Sequence, residues 1–450
     1  MIRASENAGG DPVAGNIRFY DIHCHAMNLS HPNFVLFIKR LAFFHGGGSF
    51  DDLCVVLKQA RIAMRKGERN NRIMNLLSVM ERDIGELLAL MEKDLLELRQ
   101  AGQLRVGGSA VGTVVLTPLM IDFGRKNIND YPGIYYNELS RKPIRDQVVD
   151  LFNGIRDHRE RAGKGERFLE IYPFLGLNTA NYELESDEKS IGLKELLNMY
   201  FSGFKKGELD QRRQRLSEKT GTFTEADKDK SYSCAGIKVY PPLGFDPWPI
   251  AGSRGKKSVR KEQDKVEYLY EFCVDRDIPI TAHCNDSGFM ADNVPIEKFT
   301  APSRWGEVLR DKKFEKLKLN LAHFGRQDRC CAKMKNWMRW KTPWWKDAVE
   351  LILGYDNVYS DFSYIGTTES WYNALRQLLD EHAGRPEDHD KLKSRILFGS
   401  DFMINLLATR SYKDYVGLFL GKNALHEQEK RRFCSENPEE FLFGKKDAVK

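Results

Sequence analysis

Eight short runs of β-branched and apolar residues recur along this sequence, each bounded by Gly, Pro, Asn or Asp, and helical patterns separate them. The runs are Ile17–His25, Gly112–Met120, Phe168–Leu175, Gly236–Tyr240, Ile278–Cys284, Leu317–Phe324, Asn357–Phe362 and Ile396–Asp401. The helical patterns are Ile144–Arg161, Leu193–Phe204, Val259–Arg276, Pro302–Arg310, Trp344–Leu353 and Ser370–His382. A helix between two strands carries the chain back to the same end, so the strands run parallel. Eight such units predict an α/β fold, a closed (β/α)8 TIM barrel with helical and loop insertions on its C-terminal face. A doubly wound sheet is the alternative. It would carry a glycine-rich phosphate loop after an early strand, and G-x-G-x-x-G is absent.

The 450 residues would allow two or three average domains, but an elaborated barrel uses them all. The expected barrel spans 17–445, after a loose tail over 1–16. A helical insertion occupies about 40–105. Within it, Leu87, Leu88, Met91, Leu95 and Leu98 mark one apolar face, and two helices break near Gly67. The charge-dense stretch Lys205–Lys230 reads as a solvated excursion. Phe245–Lys257 is a second overgrown connection. A third, about 325–347, carries Trp337, Trp340, Trp344 and Trp345. It is either a lid over the barrel mouth or a loop packed over its own tryptophans.

The strand ends hold the chemistry. The first run closes on Asp21-Ile22-His23-Cys24-His25, and period two puts His23 and His25 side by side. Later runs reach Ala282-His283, Ala322-His323 and Ser400-Asp401. In a barrel these ends meet around one mouth. Imidazoles with a carboxylate suit zinc, and also manganese or iron. Lys238 and Tyr240 share the face opposite Ile237 and Val239. A lysine inside a barrel needs a partner or loses its charge. It is either a plain lysine paired with a carboxylate or, as a neutral amine, the acceptor of carbon dioxide in a metal-bridging carbamate.

Composition narrows the partners. The net charge of +6 comes from abundant, interspersed charges of both signs, with no basic cluster alternating with aromatics, so nucleic acid is not an expected partner. None of the eight cysteines forms C-x-x-C, and buried free thiols in a reducing compartment are expected. The first residues lack the apolar core of a signal peptide, and no apolar run is long enough to span a bilayer, so a cytoplasmic protein with no membrane partner is expected.

These motifs resemble the amidohydrolase superfamily, in its barrel-only, amidohydrolase-related branch. The markers are His23-Cys24-His25, Gly236-Ile237-Lys238-Val239-Tyr240-Pro241-Pro242, His283, Leu321-Ala322-His323-Phe324-Gly325, Asn357-Val358-Tyr359-Ser360-Asp361 and Leu397-Phe398-Gly399-Ser400-Asp401, with Glu436–Gly444 resembling the branch's closing helix. The resemblance implies that His23, His25, His283 and Asp401 are the ligands of one divalent ion. It implies that His323 either binds a second ion or polarises the substrate carbonyl. Lys238 falls near the carboxylated lysine of binuclear members, which leaves one or two ions open. A short tail before the first run and a helical pattern after Asp401 lead us to expect no flanking β-sandwich. Cys284-Asn285-Asp286 replaces the Ala-Gly-Glu of nucleoside deaminases, which argues against purine deamination.

The implied activity is hydrolysis of an amide, cyclic amide or ester at its carbonyl carbon, by water activated on the metal. Asp401 then moves the proton and His323 steadies the oxyanion. Lys238, Tyr240, Asn285 and Arg326 are candidate contacts for a small-molecule substrate. Non-oxidative decarboxylation of an aromatic or unsaturated acid is the alternative on the same scaffold. A barrel that only binds is the third. The long segment 34–104 is a candidate lid, or a subunit contact in a homo-oligomer.

Overall fold

The structure is a computed structural model, and it describes residues 17–32, 68–123, 142–162, 168–207, 209–219, 234–250, 257–291, 294–327 and 343–444. The tail 1–16, the glycine break at 45–48, the stretch around Gly67, residues 220–233, and Trp337 and Trp340 lie outside the described residues.

All eight expected runs are strands, with one short addition. The strands are β1 (Ile17–Cys24), β2 (Arg105–Val106), β3 (Ser109–Pro118), β4 (Leu169–Ile171), β5 (Phe174–Leu177), β6 (Gly236–Val239), β7 (Ile280–Ala282), β8 (Leu319–Leu321), β9 (Val358–Asp361) and β10 (Ile396–Leu397). Every pairing is parallel except the small β2–β3 ribbon. The described strands form two sheets where one closed sheet was expected. One has β1, β3, β2 and β4; the other runs β10-β9-β8-β7-β6-β5.

The edges of the two sheets meet at short bridges. Cys24 bridges Phe402 on one side and Leu119 bridges Phe174 on the other. Backbone bonds cross both seams, from Ile22 N to Phe398 O at 3.1 Å and from Met120 N to Phe174 O at 3.1 Å. The physical reason for one interruption is Pro173, which has no N–H to give a ladder. It splits the expected third strand into β4, which pairs β3, and β5, which pairs β6. Within the first sheet, the β1–β3 register slips between Asp21 and Cys24, next to the other seam.

Period two sorts the strand residues. Ile237, Val239, Ile280, Ala282, Leu319, Leu321 and Phe398 join the large core with helical residues such as Leu269, Trp305, Ile352 and Phe419. The intervening residues face the other way, and the register sets Lys238, Thr281, Asn320 and Tyr359 side by side across β6–β9. Tyr20, Ile22, Val115, Tyr359 and Leu397 gather with Phe441, Leu442 and Phe443 in a smaller apolar cluster.

In the insertion, helices Glu68–Met80 and Ile84–Gln100 are separated at residues 81–83. Leu87, Leu88, Met91, Leu95 and Leu98 are buried as the spacing predicts. The expected excursion after Lys205 instead contains helix Leu209–Lys219. Leu216 is buried, and Arg212 donates to the carbonyls of Asp277 and Arg276 at 2.9 and 2.6 Å, which anchors the helix. Too few apolar residues mark its face for periodicity to find it. Cys24, Cys234, Cys273, Cys284 and Cys434 are buried and free. Among the described residues no helix is long and apolar enough to cross a membrane.

Candidate active site

The C-terminal ends of β1, β7, β8 and β9 and the loop after β10 place His23, His25, His283, His323, Asp361 and Asp401 together, all of them buried. The His23 ring lies 5.4 Å from that of His25 and 4.9 Å from that of His323; His283 and His323 are 4.7 Å apart. Among the described residues, two groups could hold a metal ion: His23, His25 and Asp401, and His23, His323 and Asp361. His283 belongs to neither and enters through His323, with Nδ1 3.1 Å from His323 Nε2.

Hydrogen bonding fixes which face each imidazole shows, because a neutral ring has one N–H and one lone pair. His25 Nδ1 donates to Leu119 O at 2.8 Å, so Nε2 carries its lone pair. His23 Nδ1 donates to Asp361 Oδ2 at 3.0 Å. Its Nε2 is buried with no hydrogen-bond partner. His323 Nδ1 donates to Ser363 O at 3.1 Å, and His283 Nε2 to Ser287 O at 2.9 Å. The four remaining nitrogens turn lone pairs inward. His25 Nε2 and His23 Nε2 sit 3.1 and 3.6 Å from Asp401 Oδ1. Acceptors that close repel one another unless a cation lies between them. Two ligands bonded at 2.0–2.1 Å around a tetrahedral ion are themselves about 3.3 Å apart. The residues present therefore fit a divalent ion.

Charge agrees with that fit. Burial lowers the His23 imidazole to about 3, assisted by Lys238 and against the pull of Asp361. Burial and the neighbouring His323 and Lys238 hold His283 well below its ordinary range, and burial does the same for His323 against Asp401 and Asp361. Burial pushes the Asp401 carboxyl up, but the close His25 Nε2 and the other surrounding imidazoles outweigh it, and it stays below the usual carboxylate range.

Two of these positions, and Phe324 beside one of them, sit on strained backbone. His323, Phe324 and Asp401 have φ of 62°, 51° and 57°, in the left-handed region that costs a residue with a Cβ about 1–3 kcal/mol. Local bonds impose the conformation: His323 N donates to Asp361 Oδ1 at 3.2 Å, and Asp401 N to His23 O at 2.6 Å. Gly399 lies so close that a Cβ there would stand 2.7 Å from the His23 Cβ.

Lys238 is buried on β6. Its Nζ has no hydrogen-bond partner and lies 5.8 Å from the Tyr240 ring centroid. Burial lowers the amine to about 8, against the attraction of Asp361 and Asp401. The Tyr240 ring lies tilted against that of His283, with centroids 4.4 Å apart, and its hydroxyl accepts from Phe289 N at 3.0 Å. Asn285 is buried, and its Oδ1 takes Ser287 N and Oγ, both at 2.8 Å. Arg326 lies 5.3 Å over the Tyr364 ring. In the aromatic loop Trp344 is buried and Trp345 is exposed.

The sequence reading missed Asp21, Asp361 and Ser363. Asp21 accepts from Ser400 N at 2.9 Å, Ser400 Oγ at 2.5 Å and Tyr412 Oη at 3.0 Å, pinning β1 beside the loop that carries Asp401. Burial pushes its carboxyl up to about 7. Asp361 ends β9 as Asp401 follows β10, and that parallel was the available signal.

Residues 220–444 match the amidohydrolase family model, half of the chain, and the chain belongs to that family and is an enzyme. No curated protein matches it. Among solved structures it is similar to a 5-carboxyvanillate decarboxylase from Novosphingobium aromaticivorans bound to manganese and 4-hydroxy-3-methoxy-5-nitrobenzoic acid, at 10% identity over 95% of this chain and 96% of that one, TM-score 0.39. It is also similar to a probable 2-pyrone-4,6-dicarboxylic acid hydrolase from Acinetobacter baumannii with citric acid bound, at 13% identity over 79% and 89%, TM-score 0.39. An amidohydrolase from Burkholderia multivorans with bound zinc overlaps at 13% identity over 78% and 87%, TM-score 0.38.

Proposed function

We propose that this enzyme is a metal-dependent hydrolase that adds water to the carbonyl carbon of a small amide, cyclic amide or ester. The observation that carries this is the convergence of inward lone pairs from His23 and His25 on Asp401, with the inward nitrogens of His283 and His323 turned toward each other beside them. His23, His25 and Asp401 would hold a divalent ion, with His283 completing the set and His323 beside it. Zinc suits three imidazoles and a carboxylate; manganese and iron accept the same donors. When bound, such an ion supplies Lewis acidity and a water acidic enough to react at neutral pH.

Asp401 is a carboxylate at neutral pH and takes the proton as the water oxygen bonds to the carbonyl carbon. It returns that proton to the leaving nitrogen or oxygen as the old bond breaks. His323 has its Nδ1 proton committed to Ser363 O, so its Nε2 accepts a proton first and donates to an oxyanion only afterwards. Tyr240, Asn285 and Arg326 are assigned to the pocket wall around the substrate.

The bridges at both seams support reading the two sheets as halves of one closed (β/α)8 barrel over 17–445. The unpartnered Lys238 amine supports a substrate bearing a carboxylate, and that keeps decarboxylation of an unsaturated or aromatic acid as a second reading. A carbamate on Lys238, with a second ion, would remove that anchor.

The test is direct. Protein purified without added metal is assayed for metal content, then for acid or amine release from lactones and amides and for carbon dioxide release from aromatic acids. About one equivalent of metal with hydrolytic turnover supports the proposal. Carbon dioxide release alone replaces it with the second reading, and metal-free, inactive protein that does not rebind metal ends both.

A further inference from the structure

Asp361 belongs to one of the two groups that could hold an ion, yet its oxygens are already filled. Oδ2 accepts from Asn320 Nδ2 at 2.7 Å and from His23 Nδ1 at 3.0 Å. Oδ1 accepts from His323 N at 3.2 Å, Ser363 N at 3.0 Å and Ser363 Oγ at 2.5 Å. Five donors occupy a carboxylate with about four lone-pair sites, so none is left for a metal. These donors hold it ionised against burial, far below the usual range, with His23 the largest contributor.

Ser363 extends the same logic. Its hydroxyl proton goes to Asp361, so Oγ can only accept from its other neighbours. Those neighbours are His23 Nδ1 and His323 Nδ1, both at 3.0 Å. One carboxylate and one hydroxyl thus require the proton on Nδ1 of two histidines from different strands.

We infer that Asp361 and Ser363 are positioning residues that lock His23 and His323 in the Nδ1–H tautomer, and so aim the His23 Nε2 lone pair at the metal and the His323 Nε2 lone pair into the site beside it. This rests on the ligand assignment proposed above. The pair acts on the rings through their far nitrogens, as outer partners of metal-binding histidines do.

The test uses the full chain, metal-free and zinc-loaded, as wild type, Asp361→Asn, Ser363→Ala and Ser363→Thr. Side-chain 15N spectra of the metal-free protein read the tautomers, and chelator competition reads zinc affinity. In Asp361→Asn the new amide N–H can face His23 Nδ1 and drive the proton to Nε2, the wrong tautomer. His23 is expected to switch to Nε2–H, with zinc affinity falling about 100-fold. Ser363→Ala removes one of two Nδ1 acceptors from each ring and keeps Asp361 for His23 and the backbone carbonyl of residue 363 for His323, so each ring should gain a minor Nε2–H population with about a 10-fold loss, and Ser363→Thr should restore both readouts. If Asp361→Asn does not fold, Ser363→Ala with its threonine rescue decides alone. His23 and His323 unchanged as Nδ1–H in these variants would overturn the inference. Switched tautomers in a wild-type protein that binds no zinc would uphold the lock and refute the ligand assignment.

Discussion

The two ends of the same strands carry buried charge in opposite ways. Toward their starts, Arg18 makes two bonds to Glu170, at 3.0 and 2.7 Å, and Tyr172 also donates to Glu170. Tyr20 donates to Glu439 at 3.1 Å, and Arg213 pairs with the same carboxylate. Each carboxylate there meets a cation and a phenol. At the other end, four imidazoles and Asp401 present lone pairs to one another, and the buried Lys238 amine has no hydrogen-bond partner. A network whose donors match its acceptors holds a fold together. One with acceptors in excess waits for a cation, and pairs least where it is to react.

The largest effect that separates the two ends is Asp401→Asn. It should lower turnover about 1,000-fold, the scale of a lost general base, while metal binding largely survives. Steady-state kinetics with metal content on the same sample check this, and retained turnover would remove Asp401 from proton transfer. Metal removal comes next. A chelator should abolish activity and cost about 2.7 kcal/mol of stability when the free ion stands at 100 times its dissociation constant. Melting with and without zinc reads that difference. If stability is indifferent to metal, the acceptor-rich end is already satisfied.

Glu170→Gln probes the matched end. It should cost about 1.5–3 kcal/mol in a denaturant titration, because Arg18 and Tyr172 lose a charged acceptor, while activity per folded molecule stays near wild type. An equal loss of activity would mean the two ends are coupled. The smallest effect is at Lys238. Its folded pKa, about 8, lies below the ordinary 10.5, so burying the ammonium costs stability below pH 8. The cost fades as pH rises from 8 to 10.5. Metal-free Lys238→Met should therefore melt higher than wild type at pH 7, and the gap should narrow at pH 10. A gap that does not change with pH would show that Lys238 is not buried as a free amine.

Strand order and metal-type residues were legible in the sequence because both depend on local pattern. Apolar and β-branched runs bounded by Gly, Pro, Asn or Asp located all eight strands, and His23, His25, His283, His323 and Asp401 stand at or just beyond strand ends. The seams were not legible. Pro173 divides one run between two sheets, and only the pairing partners reveal it. Asp361 and Ser363 were missed because their role depends on which nitrogen of a distant ring they face, and spacing does not encode that. Helix Leu209–Lys219 was missed because an arginine binding carbonyls anchors it, more than an apolar stripe does.

The central claim is that inward lone pairs gather one divalent cation. An anomalous-scattering map of crystals from protein purified without added metal tests it most directly. The account predicts one metal peak about 2.0–2.2 Å from His23 Nε2, His25 Nε2 and an Asp401 oxygen. A map with no peak there, or with the ion on Asp361 instead, would contradict it.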